Sequence, residues 1–241
     1  MISERLERLA TAFWDDAGGT GAFPRDLEDV LTDTKPINVV ALRGLSVAAV
    51  RRHLAHLPHT FGLAVRHRPL HGCLVAYHGG ASLYVEESLP APERRVIVAH
   101  EAAHFLNDYE QRRQRATRRV GPQLLSIFDG LRAPTPTEKL EATLSGVELT
   151  AHVHFMERGT YSAPTSRSEQ DADDLGLELL APWRDVTAAL KARGPLPKAW
   201  EPWCEMLETR YGLPASWAQP YAARLLAHSR ARRSFSETLG L

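Results

Sequence analysis

The chain has 241 residues, of which 44% are apolar and 24% charged, and 29 Lys+Arg balance 29 Asp+Glu. That composition suits one compact unit or one core with a small appendage, and excludes a disordered chain, a collagen-like repeat and a disulfide-stapled miniprotein. Zero formal charge argues against nucleic acid as the primary partner, because a phosphate backbone selects a basic excess. Two cysteines, Cys73 and Cys204, cannot frame a disulfide scaffold and point to a reducing compartment. The opening MISERLERLA lacks the pattern of an export signal, and no run reaches the ~18 apolar residues of a membrane span, so a cytoplasmic protein with no membrane contact is expected.

In chain order, Leu6, Leu9, Ala10 and Phe13 lie at helical spacing and predict an amphipathic helix over 4–14. Glycines at 18, 19 and 21 break it, Pro24 can open a short helix to about Leu31, and Ser46 is a candidate cap for a helix over 47–57. The period then changes. Segments 63–65, 73–77 and 82–85 are rich in strand formers, and Gly79-Gly80 predicts a tight hairpin between the last two. A helix over about 93–108 follows, apolar nearly all round and therefore buried. An arginine run (Arg112, Arg113, Arg115, Arg118, Arg119) reads as a solvated helix face or a docking surface, and Ala133-Pro-Thr-Pro-Thr137 as an exposed loop. Residues 147–155 alternate loosely, as a strand or edge segment. Further helices are expected over 168–180, 185–193, 198–211 and 216–230, with Ser168 as a cap.

The buried helix carries three ionisable groups in His100-Glu-Ala-Ala-His104, and chance predicts only about 0.04 such matches in a chain of this composition. Residues four apart sit one turn up and ~40° around, so His100 and His104 can grip one metal ion. Glu101 lies ~100° away from His100, flanking the metal as a candidate general base toward an activated water. Catalytic zinc takes a third protein ligand and keeps one open position. Glu169 is the best candidate, with Asp173 one turn on, placed to hold the outer nitrogen of a ligating histidine. Glu110, six residues after His104, is a rival ligand. His152 and His154 alternate toward one side of a possible strand, either as a polar face or as substrate or transition-state contacts. Cys73 reads as packing.

Ser82-Leu-Tyr-Val-Glu, then Pro92-Glu-Arg-Arg-Val-Ile-Val-Ala-His-Glu-Ala-Ala-His-Phe-Leu, then Glu169-Gln-Asp-Ala-Asp-Asp-Leu-Gly-Leu-Glu-Leu-Leu-Ala-Pro182 together resemble the ImmA/IrrE family of metallopeptidases over about residues 62–183. The resemblance implies a gluzincin-like, zinc-dependent endopeptidase whose partner is a protein, an Xre-type helix-turn-helix repressor, cleaved to relieve repression of stress-response or mobile-element genes. It implies His100, His104 and Glu169 as zinc ligands, Glu101 as general base and Asp173 as the supporting carboxylate. The chain departs from the family pattern in a long gap between His104 and Glu169, in Ala103 where Gly is frequent, and in Asp173 where Asn is frequent.

The expected fold is α+β: a mostly helical, zincin-like domain with a small three-stranded antiparallel or mixed sheet beside the His100–His104 helix. The expected organisation is an N-terminal helical segment over 1–60, a core over 61–184 with an insertion at about 110–160, and a C-terminal helical segment over 185–241. Within that last segment Tyr211-Gly-Leu-Pro-Ala-Ser216 resembles a helix-turn-helix connection, read as a packing module before a DNA reader. Two other functions stand beside the peptidase: a metal-bound regulatory module that binds a protein or DNA without cutting, and a DNA-binding regulator.

Overall fold

The computed structural model describes residues 3–55, 69–129, 131–145, 153–157 and 167–239. It has the α+β architecture expected, with a mixed sheet of four strands where three were predicted. Helix α1 (Glu4–Asp16) starts where Ser3 Oγ accepts from the Leu6 amide, and buries Leu6, Ala10, Phe13 and Trp14. Helix α2 (Glu28–Thr34) starts later than Pro24, because Asp26 Oδ1 accepts from the Glu28 amide and sets the first turn there. Strand β1 (Ile37–Leu42) follows and was not predicted. Helix α3 (Val47–Leu54) is capped as expected, Ser46 Oγ accepting from the Ala49 amide. The predicted strand at 63–65 lies outside the described residues.

Strands β2 (Leu70–Tyr77) and β3 (Gly80–Glu86) form the predicted hairpin. Its two turn residues are His78 and Gly79, at φ 52° and 82°, the doubly left-handed turn whose twist matches that of the strands. With β4 (Val153–Glu157) the sheet order is β1-β3-β2-β4, with β1 parallel to β3 and the other pairs antiparallel. Alternation divides the sheet between two apolar clusters. Ile37, Leu74, Ala76, Leu83 and Val85 join the main core, whereas Cys73, Val75 and Tyr84 pack with Val47, Val50 and Leu54 of α3.

The central helix α4 (Ala91–His104) begins on Pro90 and Pro92, and every residue from Val96 to His104 is buried. It does not stop near Asp108. A π-helical turn (Phe105–Glu110) carries it into α5 (Gln111–Arg119). Short α6 (Leu125–Phe128) and α7 (Pro136–Leu144) follow. Here Thr135 does not lie in a loop but caps α7, its hydroxyl accepting from the Glu138 amide while the Glu138 carboxylate accepts from the Thr135 amide.

Helix α8 (Arg167–Leu180) packs along α4. Gly176 allows the approach, since a Cβ there would lie 3.2–3.3 Å from the backbone of Ala99 and His100. Helices α9 (Trp183–Ala192), α10 (Glu201–Thr209) and α11 (Ala215–Leu239) complete the chain. Gly212, at φ 66°, ends the α10 segment, and the Leu213 amide donates to the Leu207 carbonyl. Trp203, Tyr211, Tyr221 and Leu225 bury in the same core as Leu6 and Phe13, so both helices around this connection are packed against the main body. Among the described residues no helix is long and apolar enough to cross a membrane.

Candidate metal centre

His100 and His104 point from α4 toward the N-terminal turn of α8. The aromatic nitrogens His100 Nε2 and His104 Nε2 lie 3.1 Å apart. Glu169, on the first turn of α8, brings Oε2 within 3.6 Å of His100 Nε2 and Oε1 within 3.8 Å of His104 Nε2. The fourth member is His154. It pairs across the sheet with Leu74, so it shares the face of the sheet that Leu74 turns toward α4. Its Nε2 is 3.1 Å from Glu169 Oε1, and its ring stacks on His104 with centroids 3.7 Å apart. Ligand atoms of His100, His104, His154 and Glu169 all fall within 4.8 Å of one another. Of the two histidines singled out on this strand, His154 is at the centre and His152 lies outside the described residues.

Carboxylates fix the two α4 imidazoles from behind. His100 Nδ1 donates to Asp173 Oδ1 at 2.9 Å, the role expected of Asp173. His104 Nδ1 donates to Asp108 Oδ2 at 2.7 Å. Asp108 is buried, accepts from Ser168 Oγ at 2.6 Å and from Asn107 Nδ2 at 3.0 Å, and was missed in the sequence. The signal was present: Asp108 follows His104 by four residues, the same spacing that singled out the histidine pair. Ser168 is accordingly a hydrogen-bond donor to Asp108 and sits inside α8, not at its cap. The rival ligand Glu110 is elsewhere, accepting from Lys35 Nζ at 3.3 Å.

This donor set fits a divalent ion. With both Nδ1 protons committed to carboxylates, the two Nε2 atoms present lone pairs to each other at 3.1 Å, an arrangement that a cation between them stabilises. Ligands ~2.0–2.1 Å from a tetrahedral ion lie about 3.3 Å from each other, and the separations here are 3.1, 3.6 and 3.8 Å.

Glu101 is fully buried on the sheet side of α4. Its Oε2 accepts from His154 Nδ1 at 3.0 Å, while Oε1 has no hydrogen-bond partner among the described residues. Gly72 of β2 makes room for it: a Cβ there would fall 2.8 Å from Glu101 Oε1 and 2.7 Å from Ile97 Cγ2. Burial alone would raise the Glu101 pKa, yet the adjacent His154, His100 and His104 hold it below the ordinary value and keep the carboxylate ionised. Burial likewise opposes charge on His154, but Glu101 and Glu169 outweigh it and push the imidazole up to about 10. The adjacent imidazoles of His100, His104 and His154 hold Glu169 far below the carboxylate range. Burial opposes charge on His100 too, but the Asp173 and Glu169 carboxylates prevail and raise its pKa. The Cys73 thiol is pushed well up by burial and by Glu101, which leaves it inert packing, as expected.

Neither family models, nor curated protein sequences, nor solved structures match this chain.

Proposed function

We propose that this chain is a metal-dependent endopeptidase of the ImmA/IrrE type, with zinc held by His100, His104 and Glu169 and a protein as its substrate. One observation carries this reading: a buried carboxylate, Glu101, whose Oε1 has no hydrogen-bond partner among the described residues, is next in sequence to one of two imidazoles that, with a third ligand, suit a divalent ion. Zinc is the choice for an N/N/O set of this size. When bound, the ion supplies a Lewis acid that acidifies water and polarises a peptide carbonyl. Glu101 Oε1 takes the proton of the attacking water and passes it to the departing amide nitrogen, so that one water and one peptide yield a carboxylate and an amine. Asp173 and Asp108 hold the imidazoles in the tautomer that presents Nε2. His154 orients Glu101 through Nδ1 at 3.0 Å and faces the ligand group through Nε2, the edge from which it can contact the developing oxyanion. From the resemblance, the substrate is an Xre-type helix-turn-helix repressor encoded nearby, and cutting it derepresses stress-response or mobile-element genes.

The experiment is to purify the chain with its zinc, mix it with the neighbouring repressor, and follow cleavage. Glu101→Gln is expected to keep the metal and lose cleavage by ~10²–10⁴-fold. A variant that cleaves normally would refute the general-base role.

A specific observation favours a second reading, a closed metal site in a non-cutting regulatory module. With Nδ1–H donated to Glu101, His154 Nε2 is itself a ligand atom of the group, and four protein ligands leave zinc no open position. X-ray absorption of the zinc-loaded chain separates the two: three nitrogens at bonding distance support this reading, two support the peptidase.

A further inference from the structure

Beyond the metal centre, the arginine run of the sequence is divided by the fold. Arg113 turns to Asp129, its Nε and Nη2 donating at 3.1 and 3.2 Å, while Arg118 donates to Gln114 and Arg119 to the Ser145 carbonyl. Arg112 and Arg115 face another way, into a cleft of about 570 Å³, where Arg5 and Arg8 of α1 and Arg167 of α8 join them. Five guanidinium groups from three separate helices thus converge on one cleft of a chain with zero formal charge, against two carboxylates among the described lining residues, Asp108, 3.8 Å from Arg112, and Asp171, while Arg8 lies 3.9 Å from Glu4. Arg115 and Arg167 make no hydrogen bond or ion pair among the described residues. Arg5 is held in place, donating to Asp171 Oδ2 at 2.6 Å and to Asn107 Oδ1. Convergence of like charges opposes folding, and an anion in the cleft relieves it.

We propose that this cleft between α1, α5 and α8 binds a small, multiply charged phosphate compound. Planar guanidinium forks match phosphate oxygens in pairs, and several are needed to compensate more than one negative charge. The volume lies in the range of small-molecule sites. Among the described residues the apolar lining consists of Leu9 and Ala12, without an aromatic platform, which points to the phosphate groups and not a stacked ring as what the cleft recognises. The floor includes Asp108 and Ser168, which support His104, so the ligand sits directly behind the metal centre without touching its ligands. This inference is independent of the peptidase reading.

The test is calorimetric titration of the zinc-loaded full chain with ATP, with inorganic triphosphate and with hexaglutamate. Saturable binding of ATP and triphosphate is expected. Equal affinities assign recognition to the phosphates alone, and a tenfold preference for ATP adds a contribution from the nucleoside; both support the site. Arg8→Glu and Arg115→Glu are each expected to weaken ATP binding at least tenfold. Arg118→Glu, outside the cleft on the same helix as Arg115, should leave it within twofold, and Glu169→Gln, which damages the metal site, should also preserve it. The proposal is overturned if neither phosphate binds, if hexaglutamate binds and triphosphate does not, if Arg115→Glu binds ATP like the wild type, or if Glu169→Gln abolishes binding. Cleavage by Glu101→Gln bears on the peptidase reading alone.

Discussion

Along α4 and its π-helical extension, His100, Glu101, His104 and Asp108 are all buried, and each meets a polar side chain from a distant part of the chain: Asp173, His154, Glu169 and Ser168. Around α6 and α7 the buried apolar residues among those described are Ala116, Leu124, Ile127, Phe128 and Ala142, and Leu140 and Leu144 lie in solvent. In the first region an isolated buried charge would be costly, so each partner depends on the others being in place. In the second, a local capping box and a small cluster hold two short helices, tied to the rest through Asp129, which accepts from Tyr109 and Arg113, and through the Ser145 carbonyl, which accepts from Arg119. The seam between α4 and α8 is therefore the intolerant part of the molecule, and the α6–α7 segment the tolerant one.

That contrast can be broken most directly at Gly176. Gly176→Val would press branched carbons against the Ala99 and His100 backbone and separate α8 from α4; a loss of about 3 kcal/mol in stability and of metal binding is expected, read by denaturant unfolding and by bound zinc. An unchanged melting midpoint would show that the seam is looser than its contacts imply.

The opposite side of α8, toward α1 and α9, predicts a pH dependence. Burial raises Glu178 on α8 from 4.5 to about 7, against the pull of the Trp183 amide donating to its Oε2 at 3.1 Å. Between those values the folded chain keeps a proton that the unfolded chain has lost. Stability should therefore fall as pH rises through that window, by about 3 kcal/mol at most, and level off above it. Glu178→Gln, measured by thermal unfolding at several pH values, should remove that slope.

Asp108→Asn sharpens the comparison at the metal itself. It leaves the shape of the seam but weakens the hold on His104 Nδ1, and zinc affinity is expected to drop 10–100-fold in chelator competition. The smallest effect belongs to the tolerant region: Leu144→Ser should shift stability by less than about 0.5 kcal/mol and leave zinc affinity unchanged.

Much of the centre was legible in the chain because it depends on local geometry. The histidine pair, the flanking Glu101 and the Glu169/Asp173 pair each follow from one turn of helix, and all of these side chains converge in the fold. Asp108 was equally legible by spacing and went unrecognised because the helix was expected to end there, whereas a π-helical turn carries it onward. Strand β1 left no clear alternation, since it pairs in parallel with β3 and packs on both faces of the sheet. The arginine run shows the converse: contiguous in sequence, its members serve different partners once folded.

By itself the sequence determined which residues can share one helical face, because a turn of helix places side chains four apart in register whatever the surroundings. Tertiary structure alone decided that His154 of an edge strand joins that face, that Gly72 and Gly176 open the space for Glu101 and α8, and that arginines from three helices meet in one cleft. Those placements depend on strand order and interhelical approach, which are properties of the packed whole and of no single segment.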